Sequence, residues 1–290
     1  MKLIFSTILV IFTLTIFAHT RQYNGQLDKY PISLSTYSYS GGNVIGIYQY
    51  NKYDTPIIIN GKLEGSTLTL IEKNNKGQNT AKIIFNNYDP KNETLNGKWV
   101  ATKGDKQFKI TLTKTSDFES YDNSSFQQLE LLQSASTKNH YFKLLLSKTA
   151  GSDIRVNGVN IYQKKTDNLI QYLKLDCQYI GFSNINIGDF NFDGLVDFSV
   201  FESSYAGSNT SSLYILRNVN SKTYFISEFF GVSLEFDKST KTILSHNQCC
   251  GGRSHINTSY KIIDNKMVLT DQHCLEYDQT LDKLVDVKCK

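Results

Sequence analysis

The chain has 290 residues and a formal net charge of +4, with 31 Lys and Arg against 27 Asp and Glu. Its 18 tyrosines and 17 phenylalanines against only 3 prolines favour strands over helices, and its length suits one large or two ordinary domains of about 100–200 residues each. Basic residues outnumber acidic ones 13 to 7 between Arg21 and Thr115, but they are spread over the segment and form no patch, which excludes nucleic acid as the expected partner.

Residues 1–18 carry one lysine and then an apolar and threonine run from Leu3 to Phe17. This is the pattern of a secretory signal peptide cleaved after Ala18. No later stretch is long and apolar enough to span a bilayer, so no integral membrane segment is expected after cleavage, and the mature protein is expected to be periplasmic or secreted.

Residues 21–115 are expected to form an N-terminal β domain, an antiparallel barrel or sandwich. Strands are expected at Val44–Tyr50, Pro56–Glu64, Ser66–Lys73, Thr80–Asn86, Glu93–Ala101 and Gln107–Lys114, separated by turn-forming residues such as Asn60-Gly61 and Glu64-Gly65. This part holds no histidine, cysteine or close carboxylate pair that would support catalysis. Trp99 and the tyrosines at 37, 39, 48, 50 and 53 could stack on sugars, although packing is the commoner use of such residues in a β domain. Residues 116–138 are polar and suggest a linker, with a short helix over Phe126-Gln-Gln-Leu-Glu-Leu-Leu.

Residues 139–290 are expected to form a second all-β domain. Its expected strands begin at Tyr141–Lys148, Val156–Gln163 and Leu169–Leu175 and end in a hairpin turning at Asp264-Asn265-Lys266. Between them lies Asp189-Phe-Asn-Phe-Asp-Gly-Leu-Val-Asp197, which offers an oxygen donor at every second position. Such spacing wraps ligands around a hard cation, Ca2+ above all. Asp189, Asn191 and Asp193 would supply side-chain oxygens, Leu195 its carbonyl and Asp197 the closing carboxylate, with Gly194 taking the sharp turn. An EF-hand would need Glu where Val200 stands, so the loop is expected to feed a strand. Phe190 and Phe192 alternate with the donors and can point into a core.

The cysteines are Cys177, Cys249, Cys250, Cys274 and Cys289. Export permits disulfides, and the expected bond joins Cys249 or Cys250 to Cys274 across a hairpin, with Cys177 to Cys289 as a weaker choice. The cysteines are not spaced for zinc. His246 and His255 flank the Cys249-Cys250 turn, but no nucleophile elbow, zinc-protease helix or phosphate loop is present, so no enzyme is expected.

From Ile187 to Cys274 the chain resembles a family of exported bacterial calcium-binding proteins that inhibit lysozyme-type peptidoglycan hydrolases, some of them immunity proteins against type IV secretion effectors. The resemblance rests on the 189–197 loop, the small-residue loop Ser203–Ser212, Leu213-Tyr-Ile-Leu216, Leu234-x-Phe236-Asp237, the Cys249-Cys-Gly-Gly252 turn and the last hairpin. The loop by itself also resembles those of FG-GAP repeats, of which only one copy occurs here. The resemblance implies a propeller-like C-terminal domain that binds calcium and a lysozyme-like protein as partner. The inhibitory loop would then span Glu202 to Ser212, with Glu202, Ser204, Tyr205, Ser208 and Asn209 in contact with the target. The alternative is a cell-envelope or carbohydrate binding module with a structural calcium site.

Overall fold

A computed structural model describes residues 19–119 and 122–289. The expected signal peptide, residues 1–18, lies outside them. Among the described residues every regular element is a strand. None of these residues forms a helix long and apolar enough to cross a membrane.

The first eight strands are β1 (His19–Leu27), β2 (Tyr30–Ser38), β3 (Asn43–Tyr50), β4 (Ile57–Glu64), β5 (Thr67–Lys73), β6 (Asn79–Phe85), β7 (Thr94–Ala101) and β8 (Gln107–Glu119). They form a meander that closes when β8 pairs antiparallel with β1, from His19 opposite Glu119 to Leu27 opposite Ile110. Closure decides between the two architectures expected above: this is a barrel. Alternation places Ile32, Leu34, Ile59, Leu68, Leu70, Ile83, Ile110 and Leu112 inside and residues such as Ile58, Asn60, Lys62 and Glu64 outside. An apolar interior with a largely polar exterior is the reverse of a membrane-spanning barrel.

Asn60-Gly61 is not a turn. Gly61 lies within β4, opposite Leu70, where a Cβ would sit 1.8 Å from the Thr69 carbonyl oxygen. Glycine is required there by close strand approach.

Three further antiparallel sheets follow. The first contains β9 (Phe126–Ser136), β10 (His140–Lys148), β11 (Arg155–Gln163) and β12 (Asn168–Gln178). The middle sheet contains β13 (Ile185–Gly188), β14 (Asp197–Ser204), β15 (Thr210–Arg217) and β16 (Tyr224–Ile226). The last contains β17 (Leu234–Asp237), β18 (Thr242–Cys249), β19 (Ser254–Ile263), β20 (Lys266–Asp278) and β21 (Lys283–Val287).

The segment expected to be a linker with a short helix is largely strand, divided between β8 and β9. Leu129, Leu131 and Leu132 pair with Leu146, Leu144 and Lys143 of β10, and Leu131 and Leu132 are buried. Tertiary pairing overrides a spacing that suits either period. Lys148 clamps this crossing. Its wholly buried ammonium donates to the Glu119 carbonyl (2.8 Å), the Asp122 carbonyl (2.6 Å) and the Asp122 carboxylate (2.5 Å).

The middle sheet is apolar on both faces. Phe198, Val200 and Ile215 pack with Phe142, Leu144 and Val159 of the first sheet, and Phe142 and Phe198 have ring centroids 4.6 Å apart. Tyr214 and Leu216 point the other way, to Ile243, Phe229 and Phe236. The run Leu213-Tyr-Ile-Leu216 thus reads as a strand buried on both sides. Ile47 of the barrel belongs to the core of the first and middle sheets, so the outer face of β3 docks the barrel onto the rest of the molecule.

Candidate functional site

The 189–197 loop joins β13 to β14 and feeds a strand. Gly194 has φ +88° and Phe192 has φ +61°, so the chain turns twice through the left-handed region. Asp189 accepts from the amides of Asp193 and Gly194, each at 3.1 Å. Asp193 accepts from the Leu195 amide at 2.7 Å. Asn191 Nδ2 donates to Asp193 Oδ2 (2.9 Å) and to Asn265 Oδ1 (2.8 Å) at the tip of the β19–β20 hairpin. Phe190 and Phe192 pack on Phe236, with ring centroids 4.9 and 6.3 Å away. The aromatic residues therefore fix the loop to the last core while its oxygens line the turn.

Asp197 is fully buried. Its carboxylate accepts from the amides of Phe190 (2.9 Å) and Arg217 (2.8 Å). Burial pushes its pKa up to about 6, aided by the negative Asp193 and Asp189, against the pull of those two amides. The donor set suits Ca2+: three carboxylates, an amide oxygen and a main-chain carbonyl. The mutual repulsion of the carboxylates is what a divalent cation would relieve. Among the described residues no three His, Cys, Asp or Glu side chains converge as a metal-ligating group. The loop carboxylates instead accept from main-chain amides, those of Phe190, Asp193, Gly194 and Leu195 within the loop and that of Arg217 in β15.

Strand β14 runs from this loop into the hairpin expected to be inhibitory. The Tyr205 amide donates to the Asn209 carbonyl at 2.9 Å, closing the tip. The candidate contact residues are engaged within the protein to different degrees. The Ser204 amide and hydroxyl both donate to Gln178 Oε1. Glu202 is only partly exposed and, after burial itself, its charge raises the thiol pKa of Cys177. Ser208 accepts from Gln248 Nε2 at 2.7 Å. Asn209 is buried; its amide donates to the Gln248 carbonyl (2.8 Å) and accepts from the Gln248 amide (3.2 Å). Tyr205 is the large side chain among them that projects, 51% exposed, with its hydroxyl 3.2 Å from Ser211 Oγ; the small Ser204 and Ser208 are exposed beside it.

These bonds bring the hairpin tip beside the Cys249-Cys250-Gly251-Gly252 turn. A groove of about 320 Å³ lies between them, lined by Tyr205, Gly207, Asn209, Gln248, Cys249 and Cys250. The two segments are 40 residues apart, and no local sequence signal links them.

The disulfide expectation is corrected. Cys274 bonds Cys289, with an S–S distance of 2.03 Å. Cys249 lies opposite Ser254, which lies opposite Glu276, so Cys249 is two strands, about 10 Å, from β20. That exceeds the reach of a disulfide. Strand β21 folds back on β20, pairing Val287 with Cys274, and delivers Cys289 instead. Cys177 is a buried free cysteine, its thiol pushed up to about 12 chiefly by burial and then by the Glu202 charge.

The N-terminal aromatics do not form one platform. Tyr48 is buried in the barrel core, where its hydroxyl donates to Glu72. Trp99 also donates to Glu72 and packs on Phe108. Tyr37 faces Phe182 and Tyr39. The exposed Tyr53 and Tyr30, the latter not among the expected residues, stand edge-to-face against a half-buried Tyr50.

No family model matches the chain, and no curated protein matches it. Among solved structures it is similar to a Xanthomonas type IV secretion system related protein, at TM-score 0.31 and 11% identity over 93% of this chain and 99% of the other. It is also similar to intact Ap-TbpB (N and C lobes), at TM-score 0.22 and 8% identity over 91% of this chain and 71% of the other. Likenesses this distant assign neither family nor function.

Proposed function

We propose that this is an exported, non-catalytic, calcium-binding protein of the cell envelope that docks on and blocks a lysozyme-type peptidoglycan hydrolase. The observation that carries the reading is the half-exposed Tyr205 at the tip of a hairpin whose base is held by Asn209 and Ser204. A pre-ordered loop presenting one aromatic ring loses little entropy on entering a cleft. Ca2+ would be held by Asp189, Asn191, Asp193, Asp197 and the Leu195 carbonyl, neutralising the carboxylates at the start of β14 and stiffening the strand that leads to Tyr205. The three C-terminal meanders would be the blades of a propeller-like unit, and the Cys274–Cys289 bond suits an oxidising compartment.

The test is clearing of a cell-wall suspension by lysozyme-type hydrolases, with and without the protein, in Ca2+ or in chelator. Inhibition that Tyr205→Ala weakens at least about tenfold, with an unchanged melting temperature, supports the reading. Lysis unaffected by the wild-type protein, or an equally inhibitory Tyr205→Ala variant, overturns it. Calcium should raise the melting temperature of the wild type and leave that of Asp193→Ala unmoved.

One observation favours a second reading as an envelope-glycan binder. Tyr30 and Tyr53 stand exposed against Tyr50, with the Lys29 ammonium 5.5 Å from the Tyr30 ring centroid. Under that reading Tyr53→Ala weakens retention on isolated cell walls and Tyr205→Ala does not.

A further inference from the structure

Successive side chains of an extended strand point to opposite faces, so neighbouring cysteines normally hold their sulfurs apart. Here Cys249 is the last residue of β18, and Cys250 leaves the strand at φ +58°. That left-handed step, which a residue bearing a Cβ resists, swings the second thiol round until the two Sγ atoms are 2.8 Å apart. This is well inside ordinary van der Waals separation and outside the bonded distance of about 2.05 Å. The turn is held in this shape from both sides. The Gly252 amide donates to the Cys249 carbonyl (3.0 Å), and His255 Nε2 donates to the Gly252 carbonyl (2.9 Å). Both cysteines are exposed, whereas Cys177 is buried and Cys274 is bonded to Cys289. Among the described residues, Cys249 and Cys250 are therefore the thiols an oxidant in solution can reach.

We propose that Cys249 and Cys250 form a redox-active vicinal pair, closed to a disulfide by thiol–disulfide exchange with a disulfide-bearing oxidant. One thiolate attacks a sulfur of the oxidant RS–SR, forming a mixed disulfide and releasing RS⁻. The neighbouring thiolate then attacks the protein sulfur of that mixed disulfide and releases the second RS⁻. Both protein thiol protons leave with the thiols, so two cysteines are oxidised and one disulfide is reduced to two RSH. The Cα atoms of adjacent residues are about 3.8 Å apart, shorter than the usual span across a disulfide of about 4.4–6.8 Å. Such a bond is more easily reduced than an unstrained one, so the pair should cycle while Cys274–Cys289 stays closed. The pair lines the same groove as Tyr205, but the inference stands apart from the docking and calcium readings.

The test equilibrates the full chain in buffers of varied oxidised-to-reduced glutathione ratio, alkylates free thiols and digests with trypsin. The peptide Thr242–Arg253 contains Cys249 and Cys250 and no other cysteine. In oxidising buffer it should resist alkylation and be lighter by two hydrogens. In reducing buffer it should take two alkyl groups at a ratio that leaves Cys274–Cys289 intact. Cys249→Ser and Cys250→Ser, both at exposed positions, should each retain one glutathione on the remaining cysteine in oxidising buffer. Two free thiols or two bound glutathiones on the wild-type peptide in the most oxidising buffer would overturn the proposal. So would cross-linking of that peptide to Cys274 or Cys289, or a vicinal bond that survives reduction as long as Cys274–Cys289 does.

Discussion

In the barrel, eight strands share one closed sheet and each has two hydrogen-bonded neighbours; in the C-terminal half, three separate sheets each leave two edges open. The barrel encloses an apolar interior that alternation alone specifies. The C-terminal sheets must be joined to one another: shared apolar cores pack them face to face, and polar side chains tie their edges. Gln171 of β12 donates to the Tyr224 carbonyl and accepts from the Tyr224 amide, each at 2.8 Å, stitching the first sheet to the middle one. Asn209 makes the same two-way bond to Gln248, stitching the middle sheet to the last. Gln133 and Asn184 tie β9 to the approach to β13. A closed sheet is completed by main-chain pairing alone, whereas these open sheets add side-chain amides, each placed to satisfy one particular stretch of backbone.

The sharpest way to break this contrast is Lys148→Met. Loss of the buried ammonium leaves the Glu119 and Asp122 carbonyls without their donor, while the Asp122 carboxylate is 37% exposed and can rehydrate, so we expect a loss of about 1–3 kcal/mol in urea denaturation. A loss below about 1 kcal/mol would mean that the β8–β9 crossing does not depend on this clamp. Next in size is Gln171→Ala, which leaves the buried Tyr224 main chain without its partner, at about 1–2 kcal/mol. Hydrogen exchange should quicken at the Tyr224 amide and stay unchanged in β4 to β6. Equal acceleration in both regions would show that the two halves unfold as one unit.

The smallest effect concerns Glu130, near the junction with the barrel. Burial opposes its charge, but the Tyr162 hydroxyl, the Lys143 ammonium and the Asn160 amide outweigh it and hold the carboxyl below its ordinary value of 4.5. A depressed carboxyl contributes stability that is fully present above the ordinary value and lost as pH falls through the lowered one. Wild type should therefore lose stability faster than Glu130→Gln on acidification below about pH 5, read as melting temperature against pH. Parallel curves would remove Glu130 from the account.

The same contrast governs how much could be read from the chain alone. All six expected N-terminal strands are present, with boundaries shifted mostly by a residue or two and β8 running five residues past its expected end, because their inward residues alternate cleanly. Strands β1 and β2 were not among those expected: their alternation is short, resting on Tyr23 and Leu27 in one and on Ile32 and Leu34 in the other, with polar residues or glycine at the remaining positions. Without them the barrel could not be told from a sandwich. The 189–197 loop was legible because an Asp or Asn at alternate positions with Gly at the sixth is a local pattern, realised within nine residues. The partner of Cys274 was not legible, because it depends on β21 returning along β20.

By itself, then, the sequence determined an all-β chain, most of its strands, the turn at Gly194 and a cluster of oxygen donors on one loop. These are local properties, set by side-chain alternation, β-branching and the φ that each residue tolerates. Only the tertiary structure decided barrel closure, the strand pairing of Phe126–Ser136 in the expected linker, the Cys274–Cys289 bond and the meeting of Tyr205 with Cys249 and Cys250. Each of these pairs residues far apart in the chain, and such pairings are chosen by which sheet edge or buried amide each segment meets once the cores have formed.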